Sequence, residues 1–230
     1  MKVEIINKDE VKDLFKHWGN FSSVCYDSQS EDYSAIGKKC LDSGHFSGSR
    51  TRYIEFKITD IARKTIDQLV RHEVGVVKNV QSFRYVKKDN FKFEYPKDVK
   101  DEEIKDEYYS LMESCSEMYE TIYDHLKENG YTHERAAEQA RYVLPMSTLS
   151  SCTIGFTLEA FIHFCNERLC SRAEDDHRQL AFLMRNEVID LIPEVKDYCV
   201  PKCQRLLYCP EYKSCGAYPS KKQLLKVLEK

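Results

Sequence analysis

The sequence predicts an α+β fold: a helix-rich single domain with a small mixed or antiparallel sheet. Three observations on its 230 residues lead to this class. The stretches KVEIIN near the start and RYIEFKITD at 52–60 have the composition or the period-two alternation of strands. Longer stretches place apolar residues at helical spacing. Finally, 42% hydrophobic and 32% charged residues are typical of a packed globular protein.

In the first half of the chain, predicted strands and helices follow one another. After KVEIIN, the stretch DEVKDLFKHW predicts a helix because its apolar residues recur at helical spacing. The strand at 52–60 alternates apolar and polar side chains, as a strand buried on one face does. Asp60 is then a candidate N-cap for a helix over residues 61–74, IARKTIDQLVRHEV.

The second half of the chain predicts mainly helices. The polar stretch FKFEYPKDVKDEE contains Pro96 and predicts a loop. A long helix is expected at 102–128, ended by Gly130, and a further one at 133–144, stopped by a proline. The stretch STLSSCTIG at 147–155 is interpreted as a connector, and the remaining chain to about residue 192 as helical.

The charge balance argues against two classes of partner. The formal net charge is −3, from 35 basic and 38 acidic residues, so no global positive field attracts nucleic acid. No apolar run approaches the roughly 18 residues of a membrane helix, and the N-terminus is charged where a signal peptide has its apolar core. We therefore expect a cytoplasmic protein that binds neither nucleic acid nor membrane.

The cysteines divide the chain into a main domain, 1–192, and a cysteine-rich tail, 193–230. Six of the ten cysteines are scattered, which is typical of cysteine packed as a small hydrophobe. The spacing of the other four, C-x3-C-x5-C-x5-C, differs from the C-x2-C pairs of zinc ribbons. Structural zinc, free thiols and an iron–sulfur cluster all stay open as interpretations. The four candidate metal ligands are Cys199, Cys203, Cys209 and Cys215.

Cationic and hydroxyl side chains concentrate in RHEVGVVKNVQSFRYV, residues 71–86. In the predicted helix, Gln68, Arg71 and His72 share one face. If the following segment is extended, Ser82 and Arg84 point the same way. Guanidinium groups with a hydroxyl suit a phosphate monoester, because the planar guanidinium binds it bidentately. The alternative is an ordinary solvated face.

Two further clusters contain candidate binding residues. Arg141 lies in the last turn of a predicted helix, where the helix dipole alone would favour a cation. The stretch FIHFCNERLCSRAEDDHRQL places His163 and Arg168 among aromatic residues. Its alternative interpretation is a charge-paired amphipathic helix.

Together, these motifs resemble one family. The order QxxRH, SxRY, ARxxLP, HFxxxR and RLCxRA is similar to that of the flavin-dependent thymidylate synthases, over residues 44–190. The family signature is RHR, then seven or eight residues and a serine. Here Arg71 and His72 are followed, after Glu73, by eight residues and then Ser82. The combination is far more specific than any single motif.

The resemblance implies an α+β homotetramer with active sites where subunits meet. It implies methylation of dUMP at C5, with methylenetetrahydrofolate as the carbon donor and FAD, reduced by NADPH, as the cofactor. It implies no nucleophilic cysteine. The two candidate catalytic residues are Arg168, as the cation that contacts the pyrimidine, and Ser82, which orients the nucleotide. The positions matching the nucleotide-binding residues of the family are Gln68, Arg71, Ser82, Arg84, Arg141 and Arg168.

The positions matching flavin contacts depart from the family pattern. The HxSxxE element is represented by HFSGSR, with Arg50 where an acid is expected. The third residue of RHR is Glu73, and the NxR element falls on Thr157 and Glu159. We hypothesise that Arg50, Glu73 and Glu159 pair with one another, which leaves a flavin held by backbone and hydrogen bonds or in another pose. The candidate cofactor-binding residues are His45, Ser47, Arg71, His72, Glu73, Thr157, Glu159 and His163.

Two other functions remain as alternatives. The altered flavin positions favour an enzyme that modifies C5 of another pyrimidine nucleotide, such as UMP, or that uses another cofactor arrangement. The other alternative is a non-catalytic nucleotide-binding or zinc-stabilised interaction protein, in which the arginine clusters are solvated faces.

Overall fold

A computed structural model describes residues 1–228, apart from the side chains of Tyr26 and Leu228. The four strands within this range are β1 (Lys2–Ile5), β2 (Ile54–Ala62), β3 (Val76–Val80) and β4 (Leu149–Phe156). The helices are α1 (Lys8–Lys12), α2 (Leu14–Ser23), α3 (Ser34–Asp42), α4 (Arg63–Leu69), α5 (Glu102–Glu128), α6 (His133–Ala140), α7 (Leu158–Arg168), α8 (Asp175–Leu191), α9 (Lys202–Leu206) and α10 (Lys221–Leu228). Short 3-10 helices lie at Val24–Tyr26, Phe46–Thr51, Arg141–Val143 and Pro193–Val195.

The strands form one antiparallel sheet in the order β1-β2-β4-β3. The helix-rich α+β class with a small sheet is therefore confirmed. The backbone N–H of Arg63 donates to the carbonyl of Thr148 (3.0 Å), and that of Gln81 donates to the carbonyl of Ser151 (2.9 Å). None of the helices described in residues 1–228 combines the length and the apolar character needed to cross a membrane.

The chain divides into two compact units. Unit 1 comprises Met1–Lys2, Ile58–Leu69 and Asn79–Cys152, and unit 2 comprises Val3–Lys57, Val70–Lys78 and Thr153–Lys230. The boundary at residue 192 between a main domain and a tail stays a prediction.

The helical hairpin of α5 and α6 forms the core of unit 1. Asp101 caps α5 by accepting hydrogen bonds from the N–H groups of Glu103 (3.0 Å) and Ile104 (3.1 Å). Gly130, with φ +80°, ends the connection after α5. Small side chains on α6 let the tyrosine rings of α5 pack closely, in a cluster formed by Tyr119, Tyr123, Ala136, Ala137 and Ala140.

An aromatic cluster forms the core of unit 2 where β2, β4 and α7 meet. Ring centroids lie 5.1 to 6.3 Å apart, a spacing typical of edge-to-face and offset aromatic pairs. The rings belong to fully buried side chains. They are Phe56, Phe156, Phe161 and Phe164.

Two of the predicted elements are corrected by the structure. The helix predicted at 61–74 begins at Arg63 and ends at Leu69, because β2 continues through Ile61 and Ala62. Both of these residues are buried in the sheet, so strand pairing overrides local helix propensity. Asp60 lies in the strand with φ +54° and does not cap the helix. The predicted connector at 147–155 is mostly β4, whose small polar residues concealed the strand pattern.

A third correction concerns residues 82–84, which are not extended. Strand β3 ends at Val80, and the N–H of Val86 donates to the carbonyl of Ser82 (3.1 Å). Ser82 therefore begins a turn, and the alternation that would place its side chain beside that of Arg84 does not apply. The predicted helix at 133–144 is shorter than expected, since α6 ends at Ala140 and continues as a 3-10 turn.

Candidate active site

A cavity of about 630 Å³ in unit 1 contains two of the predicted nucleotide-binding residues, Ser82 and Arg141. Its volume lies within the range of small-molecule sites. The Oγ atom of Ser82 accepts a hydrogen bond from the backbone N–H of Arg84 (3.2 Å), so the hydroxyl proton remains available to a ligand. Arg141 begins the 3-10 turn after α6 and is exposed.

Arg63, which the sequence motifs did not predict as a binding residue, lines the same cavity. Its guanidinium lies 5.6 Å from the centroid of the Phe83 ring, and it forms an ion pair with Asp67 (3.1 Å). The sequence placed Arg63 inside a long helix rather than at the junction of β2 and α4. The cavity therefore combines two cations with the hydroxyl groups of Ser82 and Tyr142, a donor set that suits an anionic ligand.

The other two predicted residues of unit 1 lie elsewhere. Among the described residues that line the cavity, neither Gln68 nor Arg84 is present. Gln68 lies in α4. Arg84 forms an ion pair with Glu138 of α6 (3.3 Å), and its guanidinium lies 5.6 Å from the ring centroid of Tyr85.

In unit 2, Arg168 and His72 are in direct contact. Arg168 occupies the last turn of α7, where the helix dipole favours a cation. Its Nε–H donates to Nε2 of His72 (3.0 Å). Because Nε2 accepts this bond, the neutral imidazole carries its proton on Nδ1. The contact gives His72 a physical role that the sequence did not reveal, namely to orient the Arg168 guanidinium.

The surroundings of His72 keep it neutral. Burial first, and the Arg168 cation second, lower the pKa of His72 from 6.5 to about 4. His177 of α8 lies 6.2 Å from His72 between ring centroids, and burial lowers its pKa to about 3. The Phe164 ring adds an apolar contact in a T-shaped arrangement with His72, with ring centroids 5.1 Å apart. Arg168 therefore faces a neutral acceptor at physiological pH.

The loop after α4 is fixed from both sides. The Lys78 ammonium donates to the carbonyls of Val70 and His72. The backbone N–H of Thr157 donates to the carbonyl of Gly75 (2.9 Å). Arg71 and Glu73 lie exposed on this loop. Because α4 ends before them, Arg71 and His72 do not share a helical face with Gln68, as the sequence had predicted.

The hypothesised charge pairing is present for two of its three residues. Arg50 forms a bidentate ion pair with Glu159: Nε donates to one carboxylate oxygen and Nη2 to the other (3.0 Å). The hydrogen bond and the charge of Glu159 raise the pKa of Arg50 above its ordinary value. Among the ion pairs described in residues 1–228, Arg50 and Glu159 have each other and not Glu73 as partner.

The remaining predicted cofactor-binding residues occupy different settings in unit 2. His45 and Ser47 lie exposed at the start of the 3-10 helix that carries Arg50. Thr157 is buried and caps α7, since its Oγ1 accepts a hydrogen bond from the N–H of Ala160 (3.3 Å). His163 is exposed and lines a cavity of about 410 Å³.

The structure does not assemble the four predicted tail cysteines into one metal site. Within residues 1–228, no group of three or more His, Cys, Asp and Glu side chains is placed to hold a metal ion. Cys199 is fully buried beside Cys165 of α7. Burial, and then its hydrogen bond with Cys199, raise the pKa of the Cys165 thiol well above its ordinary value. Cys203, Cys209 and Cys215 line a different, smaller cavity.

Comparison with known proteins gives one family. The family model of the thymidylate synthase complementing proteins matches residues 9–194. A flavin-dependent thymidylate synthase from Nitratidesulfovibrio vulgaris is 32% identical over 199 residues, which cover 85% of this chain and 81% of that protein. A flavin-dependent thymidylate synthase from Geobacter sulfurreducens is 30% identical over 201 residues, which cover 86% of this chain and 82% of that protein.

Solved structures of low sequence identity share the fold. The flavin-dependent thymidylate synthase of Helicobacter pylori, solved with FAD and dUMP, has a TM-score of 0.62 at 17% identity, covering 87% of this chain and 100% of that one. The UMP/dUMP methylase PolB of Streptomyces cacaoi, solved with 5-Br UMP, has a TM-score of 0.57 at 17% identity, covering 86% and 95%. The family match and the two sequence relatives establish that this chain belongs to the thymidylate synthase complementing proteins and is an enzyme of the flavin-dependent thymidylate synthase type.

Proposed function

We propose that the chain methylates C5 of dUMP, with methylenetetrahydrofolate as the carbon donor and FAD, reduced by NADPH, as the cofactor. The observation that carries this proposal is the unit 1 cavity lined by Ser82, Arg63 and Arg141. Two guanidinium groups and a hydroxyl are the donors that a nucleotide phosphate needs. None of the described residues that line this cavity is His, Asp or Glu. Ser82 therefore has no general base there and acts by orienting the nucleotide.

Arg168 is assigned to the pyrimidine ring in this proposal. A permanent cation beside a ring carbonyl stabilises the anionic form of the ring, in which C5 is electron-rich. The hydrogen bond from Nε of Arg168 to His72 holds the guanidinium in one orientation. The terminal nitrogens of Arg168 remain to contact the substrate.

In this proposal, exposed residues of unit 2 hold the anionic dinucleotide cofactor. His45, Ser47, His163 and Arg71 supply exposed hydrogen-bond donors, and Arg50 offsets the charge of Glu159. Glu73 is exposed, so solvent screens its repulsion of a pyrophosphate. When bound, the reduced flavin supplies the hydride for the reaction.

Release of tritium from 5-tritiated dUMP, in the presence of methylenetetrahydrofolate, NADPH and FAD, tests the proposal. We expect release with the native chain and a loss of at least tenfold in kcat/KM for Arg141→Ala and for Arg168→Lys. Arg178→Ala is the matched control, because Arg178 pairs with Asp175 on α8 outside the cavity (2.5 Å). Absence of release with dUMP, from protein that binds dUMP, would contradict the assigned substrate.

UMP is the second candidate substrate. This chain shares its fold with a UMP/dUMP methylase, and this likeness favours UMP as a second candidate. The same assay with 5-tritiated UMP compares the two sugars directly. A higher kcat/KM for UMP than for dUMP would replace the first proposal by the second.

A further inference from the structure

Four thiols in unit 2 have no part in the proposed reaction. Cys170, Cys203, Cys209 and Cys215 line one cavity of about 20 Å³. That volume admits a single water-sized occupant. Cys170 follows α7, whereas the other three belong to the segment after the family match, which ends at residue 194. The family match therefore includes Cys170, as the cysteine of RLCxRA, but not the other three thiols.

Local structure brings the tail thiols towards Cys170. The buried side-chain amide of Asn166 in α7 donates to the carbonyls of Tyr198 (2.8 Å) and Val200 (2.7 Å), which anchors the start of the tail on α7. Helix α9 then presents Cys203. Arg205 of α9 donates to the Asn166 side chain as well (3.0 Å), so both ends of this segment are tied to the helix that precedes Cys170.

Two turns position Cys209 and Cys215. Leu207, the C-cap of α9, adopts a left-handed conformation with φ +59° and ends the helix. The N–H of Cys209 then donates to the carbonyl of Pro219 (2.7 Å), and this bond closes a loop that contains Cys215. Gly216, with φ +88°, directly follows Cys215. The loop thereby places both thiols at the cavity.

The four thiols share one small cavity with three cationic side chains, Arg172, Lys202 and Lys213. Several thiolates this close repel one another, and a divalent cation reverses that repulsion. Lys202 pairs with Glu167 (2.7 Å). Arg172 and Lys213, however, outnumber Glu211, the one carboxylate among the described residues that line the cavity, and offset part of the negative charge of a tetrathiolate centre.

We propose that Cys170, Cys203, Cys209 and Cys215 bind one Zn²⁺ ion as a structural tetrathiolate site. Four thiolates in a tetrahedral arrangement are a common ligand set of structural zinc. The small cavity favours one ion over an iron–sulfur cluster, which uses the same ligand set but needs more space. The four thiols share the cavity but are not preassembled around a metal position. Zinc binding would therefore have to draw the four sulfurs to metal–sulfur distances of about 2.3 Å, and it would fasten the tail to α7. Compared with the set predicted from sequence, Cys170 replaces Cys199.

Metal analysis of the full chain, purified without chelators from zinc-supplemented cells, tests this proposal. We expect about one zinc per chain, falling at least tenfold in Cys170→Ser and in Cys209→Ser. Cys199→Ala and Cys25→Ser are the matched controls and keep the zinc, since Cys25 is exposed outside the cluster. Substitution of Co²⁺ in the native chain should give the intense absorption of a tetrahedral cobalt tetrathiolate.

A second measurement, cysteine alkylation, uses the native chain and therefore does not require any variant to fold. Cys215 is exposed and should react readily with an alkylating reagent unless a metal holds it. We expect Cys170, Cys203, Cys209 and Cys215 to be protected together, and to become reactive together after a chelator removes the metal. Exposed Cys25 is alkylated in both states.

Three results would overturn the proposal. One is a native chain without bound zinc in which Cys215 is alkylated as fast as Cys25. Another is iron with acid-labile sulfide instead of zinc, which would make the centre a cluster. The third is zinc that survives Cys170→Ser but is lost in Cys199→Ala, which would restore the ligand set predicted from sequence.

Discussion

At the scale of single residues, the contact between Arg168 and His72 bears most directly on the proposed reaction. An arginine side chain is always charged, so its ability to contact a substrate depends on the direction of its planar guanidinium group. His72 fixes that direction as a neutral acceptor, and burial keeps it neutral. His72 is thus a positioning residue, and Arg168 is the group proposed to touch the substrate.

Replacement of His72 tests this positioning role. We expect His72→Ala to lower kcat/KM for dUMP about tenfold or more, since a hydrogen bond to a charged group contributes about 1.5–3 kcal/mol. His72→Gln should recover much of the loss, because its amide oxygen can accept from Nε of Arg168. Flavin content, measured by absorbance, separates this role from the cofactor contact predicted for His72 from the sequence, because a positioning role leaves the flavin content of both variants unchanged. Equal losses in the two variants would contradict the role.

The same histidine predicts a pH dependence of stability. The pKa of His72 is about 4 in the folded chain, against an ordinary value of 6.5. Between these values the unfolded chain binds a proton that the folded chain excludes, so the free energy of unfolding falls as pH drops from 6.5 towards 4. His177 adds to the effect, with its pKa lowered to about 3.

Urea denaturation of the native chain and of His72→Gln at several pH values measures this dependence. We expect a flatter slope in the variant, because its side chain does not titrate. The same slope in both proteins would show that His72 titrates alike in the folded and unfolded states.

The ion pair between Arg50 and Glu159 predicts a compensating pair of substitutions. Arg50→Glu or Glu159→Arg alone places like charges together and should lower both Tm and FAD affinity. The double exchange restores opposite charges and should recover both. Glu73→Arg should not rescue Arg50→Glu, because Glu159 and not Glu73 is the observed partner. Thermal denaturation and flavin fluorescence are the measurements, and rescue by Glu73→Arg would contradict the pairing.

At the scale of elements, the loop between α4 and β3 determines where three candidate site residues lie. It carries Arg71, His72 and Glu73, and it is held at Gly75. Gly75 has φ +71°, a conformation that L side chains rarely adopt. A Cβ atom there would lie 2.6 Å from Oγ1 of Thr157, the cap of α7. The loop and α7 can therefore approach closely only with glycine at this position.

Gly75→Ala and Gly44→Ala form a matched pair for testing the loop. Both glycines have φ +71°, but a Cβ atom at Gly44 meets nothing within 4 Å. Each substitution should cost about 1 kcal/mol of backbone strain. Gly75→Ala should cost clearly more, because the clash adds to that strain, and should also weaken dUMP binding. Denaturation and isothermal titration measure the two effects, and equal stabilities would contradict the steric argument.

At the scale of the whole molecule, two exposed apolar side chains border the unit 1 cavity. In unit 1, Tyr142 is 82% exposed beside Arg141, and Met146 is 52% exposed on the same cavity. Large apolar side chains grouped on the surface mark contact sites. We propose that these residues contact another copy of the chain, as the homotetramer implied by the family resemblance would require.

Light scattering on the purified chain tests the assembly. Four chains of 27.1 kDa give about 108 kDa, since 4 × 27.1 is 108.4. We expect Tyr142→Asp to reduce the measured mass and to abolish tritium release. Tyr212→Asp, at a tyrosine that is 96% exposed on the tail, should change neither. A monomeric native chain with full activity would contradict the proposal.

The sequence alone determined the class of fold and the family. Strand alternation at 52–60 and the helix at 102–128 depend on local periodicity, which survives without tertiary context. The family followed from the order of short motifs. By contrast, the actual end of α4 at Leu69 and the strand β4 depend on hydrogen bonds to distant partners, which no local pattern specifies.

Only the tertiary structure decided which side chains meet. Arg168 and His72 lie 96 positions apart and Arg50 and Glu159 lie 109 apart, so their contacts depend on how the intervening chain is folded. Likewise, Cys170 rather than Cys199 joins the three tail thiols because α7 and the tail pack against each other through Asn166. The sequence specifies the chemistry of each side chain, but which side chains lie close together depends on the folded chain.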